Sequence, residues 1–560
     1  MIEIQPQHIT LSQLLHGRLF RIPQYQRAYS WQPKHREALL QDIRRTWLKG
    51  NGWRHFMATM VGLRRGKITI ITDEHQVIEI VDGQQRITTL ILLLKAIAKA
   101  IDRSDAVEAK IGQELDRTLV KSDKASLLLL QTNHDSSHYF ADYLRTGNHP
   151  LSESAKTQAD RELLRAMEDC EKFVADWQTD GASLVDLVTL LKNRLTFVFH
   201  EIGDEALVYT VFEVLNSRGL EVSWFDRLKS MLMAIVFESD TGNKNELIDE
   251  VHQLWADIYR CVGLRIGMST EALRFAATLR GEDCPSRPLG AEDAAKLLQT
   301  QSQGGPAEVI ETVRWLKAVT EAVDRLVADP RRDAVTGIAQ ARLVATAVQL
   351  RPDLTESEKS KVLRRWENVS FRIYGMFGKD ARTAVGDYVR LAWRIVREKL
   401  SAGKILTELS AIGAKFPATD AIEKLRNTDC YTGWQEEVRY FFRRYEEYLA
   451  QKTGQNFNNE QWIRIWESSA ADSIEHILPQ RSGDDDLVHR LGNLLVLPPK
   501  LNSKLGARAP KDKADEYSKT GLLIAQEVVD QLSRWGDWGL REIERREALL
   551  LDWAIDEWAD

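Results

Sequence analysis

The stretch "VIEIVDGQQRITTLILLLKAIAKAI", residues 77–101, changes its period at a single turn. Val77, Ile78, Ile80 and Val81 form a β-branched run that predicts a strand, broken at Asp82-Gly83. Ile87, Leu90, Ile91, Leu94, Ala98 and Ile101 then recur at helical spacing. A strand feeding directly into an apolar helix sets the first hundred residues as mixed α/β. The turn between them holds Asp82, Gly83, Gln84, Gln85 and Arg86. A helix start of this kind favours anions, through its unpaired N–H groups and the helix dipole. Arg86 adds a fork-shaped cation suited to phosphate, while Gln84 and Gln85 can bond phosphate, ribose or base edges. Asp82 suits a magnesium ion or an arginine partner. A plain structural turn, with Arg86 paired to Asp82 or another acid, fits the local sequence equally well.

Upstream, "GRLFRIPQYQRAYSWQ" reads as strand, turn and loop, and "HREALLQDIRRTWLKG" as an amphipathic helix. "HFMATMVGLRR" and "KITIITDEHQVIEIVDG" read as further strands. Downstream, helical patterns dominate, interrupted by the strand-like "LTFVFHEI" around Leu195 to Ile202 and by "FEVLNSRGLEVSWFDRLKSML". Residues from about 245 to 430 form a long helical stretch without a legible signature. The expected division is 1–240, 241–430 and 431–560. The expected class is mixed α+β, predominantly helical.

The bulk properties bound the function. A chain of 560 residues exceeds one hydrophobic core. Four scattered cysteines without a CxxC pair argue against a zinc ribbon or disulfide scaffold and fit a reducing cytoplasm. Lys95 and Lys99 interrupt the longest apolar run, so no membrane partner is expected. The net charge of -6 rules out a uniformly basic coat, yet a nucleic-acid face needs only local charge. "GMFGKD" lacks P-loop spacing, so any nucleotide site is of another kind.

The last block carries a second constellation. "SIEHILPQ" puts Glu475 and His476 at the end of an apolar strand, "LGNLLVLP" offers Asn493 on a second strand, and Asn502 opens a helix. Two strands and a helix bearing these groups have the layout of a ββα-metal, or HNH-type, nuclease site. Phosphodiester hydrolysis needs a base for water, which a neutral imidazole supplies, and a hard dication. On this reading His476 is the base, Glu475 and Asn502 hold Mg2+ or Mn2+, and Asn493 orients His476. Lys500, Lys504 and Arg508 lie close in sequence to meet phosphates. His489 competes for the role of base. The bland alternative is a core Glu-His with two turn-capping asparagines.

The set "IEHILPQ…LGNLLVLPPKLNSKLG" resembles the HNH-like C-terminal domain of the GmrSD family, type IV modification-dependent restriction endonucleases. "IPQYQRAYSW", "VDGQQRITTL" and "FEVLNSRGLEVSWFDRLK" resemble the same family's N-terminal motifs, in the same order. The resemblance implies a ParB/sulfiredoxin-like N-terminal domain that binds or hydrolyses a nucleoside triphosphate (GTP, UTP, CTP or ATP). Carried over, Gln24, Tyr25, Gln26 and Arg27 match the first motif, Asp82 to Arg86 the second, and Asn216, Arg218, Gly219, Asp226 and Lys229 the third. Arg27 and Arg86 are then expected near phosphate, and Tyr25 or Trp31 against a base or nucleotide ring. Implied partners are modified double-stranded DNA, the nucleotide and a second copy of the chain. The competing expectations are a nucleotide switch or DNA adaptor with an inactive nuclease-like domain, and a toxin-like nuclease indifferent to modification.

Overall fold

Asp82 and Gly83 join strand to helix in the computed structural model, which describes residues 6–559 except 24, 25, 27, 51, 123–126, 133–136, 149, 204–222, 240–243, 330, 331, 333–336, 483 and 484. By internal contacts the chain divides into two units. One is Met1–Leu273 with Ala291–Thr320, the other Arg274–Gly290 with Glu321–Asp560. Positions 240 and 430 fall inside these units. Outside the small sheets the chain is helical, as the mixed, predominantly helical class requires.

The first unit is built on β1 (Pro6–Thr10), β2 (Arg18–Ile22), β3 (His55–Ile70), β4 (Asp73–Asp82), β5 (Leu130–Thr132) and β6 (Leu195–Ile202). They form one mixed sheet in the order β1-β6-β3-β4-β2-β5. β3 and β4 make an antiparallel hairpin, and β2 lies parallel to both β4 and β5. β6 runs parallel to β3 and antiparallel to β1. The sequence suggests a break at Arg64-Arg65-Gly66-Lys67, but β3 runs straight through it. A register shift between Arg64 and Gly66 absorbs the irregularity as a bulge. The basic residues there pair outward with Glu201, Glu79 and Glu74, the solvated-face reading of a charge cluster.

Helix α1 (Pro33–Leu48) precedes the hairpin, and α2 (Gln84–Ala100) follows it. α2 is more central than an amphipathic stripe predicts, with Leu92, Leu93 and Ala96 as buried as Ile87 and Ile91. A helix apolar on nearly all sides belongs inside a core. It packs against α3 (Gln158–Thr179). Helix α4 (Trp224–Glu238) carries the end of the third motif.

The second unit is helical around one small hairpin, β7 (Ile474–His476) against β8 (Leu494–Val496). The strands are antiparallel with Leu494 opposite His476 and Leu495 opposite Glu475. α5 (Gln435–Thr453) precedes the hairpin; α6 (Pro499–Leu505), α7 (Pro510–Ser518), α8 (Leu523–Trp535) and α9 (Leu540–Glu557) follow it. Trp558 ends α9 in an aromatic nest of Phe371, Phe441 and Trp553, and the buried Arg444 beneath it pairs with Glu557. Among the described residues no helix is long and apolar enough to cross a membrane.

Close packing at the hairpin gives a stability test. A Cβ added at Gly492 would lie 2.1 Å from the backbone oxygen of Ile543 and 2.9 Å from the backbone nitrogen of Glu547. Gly492→Ala is expected to cost about 3 kcal/mol or more, because backbone rather than a flexible side chain must move. Gly403→Ala, in the helix Ala402–Gly413 with nothing within 4 Å, is expected to gain up to about 1 kcal/mol. Denaturant midpoints of the two variants measure the contrast.

Candidate functional site

In the N-terminal turn Gly83 caps α2 in the left-handed region, φ 92°, and donates its N–H to Asp82 Oδ1 at 2.8 Å. A Cβ there would also sit 2.7 Å from Met60 Cγ, so glycine is demanded twice. The two glutamines point inward. Gln84 Nε2 donates to Gln26 Oε1 at 3.0 Å, and Gln26 Nε2 donates to the Val81 carbonyl at 2.8 Å. Gln85 Oε1 accepts from Ser30 N at 2.9 Å while its Nε2 donates to Ala28 O at 3.2 Å. Both amides therefore tie the 26–30 loop to the helix start. This corrects the expectation that they face a ligand: they stand in for backbone partners that an irregular loop lacks.

Trp31 is corrected in the same way. At 4% exposure it is a core residue, not a surface platform for a base or for DNA. Its carbonyl accepts from Arg36, itself buried and paired with Glu162 and Asp169. Arg86 is half-buried with its guanidinium 5.9 Å from the Trp31 ring, and has no ion pair among the described residues. The expected Arg86–Asp82 pair is not formed. Among the described residues, three buried polar atoms beside this turn find no partner: Ser30 Oγ, Trp31 Nε1 and Gln84 Oε1.

Gln24, Tyr25, Arg27, Asn216, Arg218 and Gly219 lie outside the described residues. Asp226 and Lys229 lie in the first two turns of α4. The Asp226 carboxylate takes a bond from Ser223 Oγ at 2.7 Å and another from Tyr259 OH at 2.5 Å. Burial pushes the Lys229 ammonium down to about 8, with Asp226 opposing the shift.

The C-terminal residues converge more tightly. His476 closes β7 with its ring buried, 7% exposed. Its Nε2 lies 3.1 Å from His489 Nδ1, and Gln480 Nε2 lies 3.2 Å from its Nδ1 and 3.4 Å from its Nε2. Tyr431 stacks on His489 with ring centroids 5.0 Å apart and meets His476 edge-on at 4.7 Å. The Asp429–Arg490 bridge and the bond from Cys430 N to His489 O, 2.9 Å, lay this segment beside the histidine. Burial first, then His489 and Lys513, push the His476 imidazole down to about 4 against the pull of Asp429. The ring is thus neutral near pH 7 and able to accept a proton.

Asn493 does not orient that ring. It sits in the turn Leu491–Asn493 before β8, fully buried, and spends its amide elsewhere. Oδ1 accepts from Leu478 N at 2.7 Å and Trp538 Nε1 at 3.2 Å; Nδ2 donates to Leu478 O at 3.0 Å and Val488 O at 2.8 Å. The bond expected from Asn493 is made to His476 by His489 instead. Asn502 lies inside α6 and donates from Nδ2 to Asp472 O at 2.8 Å and Ile474 O at 3.0 Å, pinning the helix to β7.

Glu475 and Asn502 do not make a cation cage as they stand. Strand alternation turns Glu475 away from His476. Its Oε1 accepts from Lys513 Nζ at 2.6 Å and Tyr517 OH at 2.9 Å in a closed pocket. Lys513, wholly buried, also donates to the carbonyls of His476 at 2.7 Å and Ile477 at 3.3 Å. No group of three His, Cys, Asp or Glu among the described residues could hold a metal ion. Of the basic residues, Lys500 and Arg508 are exposed without an ion pair among the described residues, whereas Lys504 bonds Glu516 at 3.0 Å.

Asp429, Tyr431, Gln480, Lys513 and Tyr517 were not singled out by sequence. Only Gln480 carried a signal, closing the quoted "IEHILPQ"; the others sit on elements whose patterns say nothing of the histidine. Glu475→Gln is expected to leave Lys513 buried without a counter-charge, at a cost of about 3 kcal/mol or more, read as a lower denaturant midpoint.

Residues 11–233 match the family described as GmrSD restriction endonuclease, N-terminal domain. Residues 418–553 match GmrSD restriction endonucleases, C-terminal domain. A segment of 162 residues is 26% identical to phosphoglycerate kinase 2 of Equus caballus, over 28% of this chain and 37% of that protein. The chain thus spans little more than a third of that relative's length, and the likeness assigns no site residue. The two family matches cover more than half of the chain in the order of the motifs, and the chain belongs to the GmrSD restriction endonuclease family.

Proposed function

We propose that this chain is a modification-dependent, type IV-like restriction endonuclease of anti-phage defence, acting on double-stranded DNA with His476 as general base. The observation that carries the reading is a buried, neutral imidazole on a ββα scaffold, with the exposed Gln480 3.2 Å from Nδ1 and 3.4 Å from Nε2. Water gives a proton to the ring, its oxygen bonds to phosphorus, and the bond from phosphorus to the leaving oxygen breaks. That oxygen takes a proton from solvent. Lys500 and Arg508 supply charge for backbone phosphates nearby in sequence. Mg2+ or Mn2+ is the cofactor the resemblance implies; the donors as arranged do not enclose it, and no step is assigned to it.

The N-terminal turn takes a nucleoside triphosphate that regulates cleavage. Support comes from the three buried polar atoms beside this turn that find no partner among the described residues, since groups of this kind are rarely left unsatisfied without a ligand or water. The helix start and a guanidinium without an ion pair among the described residues suit a phosphate. Residues 241–430 carry the nucleotide state between the two ends, and a homodimer is the assembly in which this is tested first.

His476→Ala is expected to bind DNA and to lose cleavage by about a hundredfold or more, measured on plasmids carrying plain cytosine, hydroxymethylcytosine, its glucosylated form, or phosphorothioate linkages. Equal cleavage of all four plasmids would remove the dependence on modification, and an active His476→Ala would remove the nuclease assignment. Chelation with EDTA is expected to stop the reaction and added Mg2+ or Mn2+ to restore it. Arg86→Ala is expected to lower nucleotide turnover, or its effect on cleavage, by about tenfold or more. An unchanged rate would return the turn to a structural role.

A further inference from the structure

We infer that His489 is the positioning residue for His476: it accepts the Nε2–H of His476 and so fixes the tautomer that leaves Nδ1 as the base. The inference rests on the nuclease reading and deepens it. Its ground is geometric. The two imidazoles meet nitrogen to nitrogen at 3.1 Å, Nε2 of His476 against Nδ1 of His489. One of these nitrogens must carry the hydrogen. Gln480 Nε2 lies 3.2 Å from His476 Nδ1 and 3.4 Å from its Nε2 and does not choose between them. With Nε2 turned to His489, the lone pair left to take a proton from water is that of Nδ1, which puts the ring proton on Nε2. That proton points at His489. Among the described residues Asn493, the other group able to orient the ring, is fully engaged with backbone and Trp538.

His489 is itself held for the task. Tyr431 lies flat over it, 13° from parallel, and its own carbonyl is tied to Cys430 N at 2.9 Å. The Asp429 carboxylate lies within electrostatic reach of both rings. The segment 429–431 therefore builds one wall of the site from outside the two strands and helix. On the open side, Gln480 is exposed and flexible enough in kind to yield its place at Nδ1 to water.

The test separates acceptor chemistry from packing. His489→Phe keeps an aromatic ring for Tyr431 and removes the acceptor; His489→Asn keeps an oxygen near the Nδ1 position. On whichever plasmid of the panel the unaltered full chain cleaves, His489→Phe is expected to lower kcat about a hundredfold with KM for DNA within about threefold. His489→Asn is expected to recover to within about tenfold of the unaltered rate. Melting temperatures show that both variants fold. A fully active His489→Phe, or a His489→Asn as slow as His489→Phe, overturns the inference. Cleavage by His476→Ala overturns the nuclease reading itself, whereas an inactive His476→Ala beside an active His489→Phe removes only the role given to His489.

Discussion

One buried primary amide, that of Asn493, holds the long connection between β7 and β8 in place. It reaches Leu478 on one side of that connection, Val488 on the other, and Trp538 beyond the hairpin. A three-residue hairpin has too few ladder bonds to fix a loop of this length by itself. Every buried N–H and C=O the loop exposes must nevertheless be matched. The amide thus supports, from the side of Val488, the loop on which Tyr431 and the Cys430 N–H also hold His489. The asparagine is essential to the site without touching the ring.

The same physics governs the N-terminal turn. Gln84 and Gln26 link amide to amide as far as the Val81 carbonyl, and Gln85 separately holds Ala28 and Ser30, so that two sets of bonds tie these residues to the start of α2. This explains why the turn is so polar: amides supply both a donor and an acceptor to backbone that secondary structure leaves unmatched. What they leave over, among the described residues, is a short row of unmet groups near an arginine without an ion pair. The motif thus spends Gln85 on the fold and leaves the Arg86 guanidinium uncommitted among those residues.

Much of this was legible in the sequence because periodicity reports burial. The change of period at Asp82, the strand at Leu195–Ile202 and the order strand, strand, helix after Ile474 all follow from which side chains must be covered. Composition misled where a bulge let β3 pass through Arg64–Lys67, since a bulge leaves no periodic trace. Residue chemistry named His476 correctly as a ring on the hairpin but gave the wrong partner. Asn493 and His489 lie four positions apart, and only three-dimensional placement says which of them faces the ring. Asp429 and Tyr431 were beyond reach, because a turn distant in sequence brings them to the site through the Asp429–Arg490 bridge and the Cys430–His489 bond.

The burial of Lys513 and Arg546 follows from the same constraint. A lysine or arginine sealed from water costs several kcal/mol unless its hydrogen bonds are made. Lys513 meets Glu475 and the carbonyls of His476 and Ile477. Arg546 meets the constraint only in part: Nη1 donates to the carbonyls of Gly492 at 3.0 Å and Leu494 at 2.7 Å, while Nε and Nη2 find no partner among the described residues. Each cation thus grips the backbone of one strand at the residue beside the site. Apolar side chains of equal volume would pack as well, but they would leave those carbonyls unmatched in the interior. The charge is there to fix backbone, and Glu475 is there to balance the charge. An acid next to the histidine in sequence therefore serves the fold from the far side of the strand, while the polar groups that meet the His476 ring are His489 and Gln480.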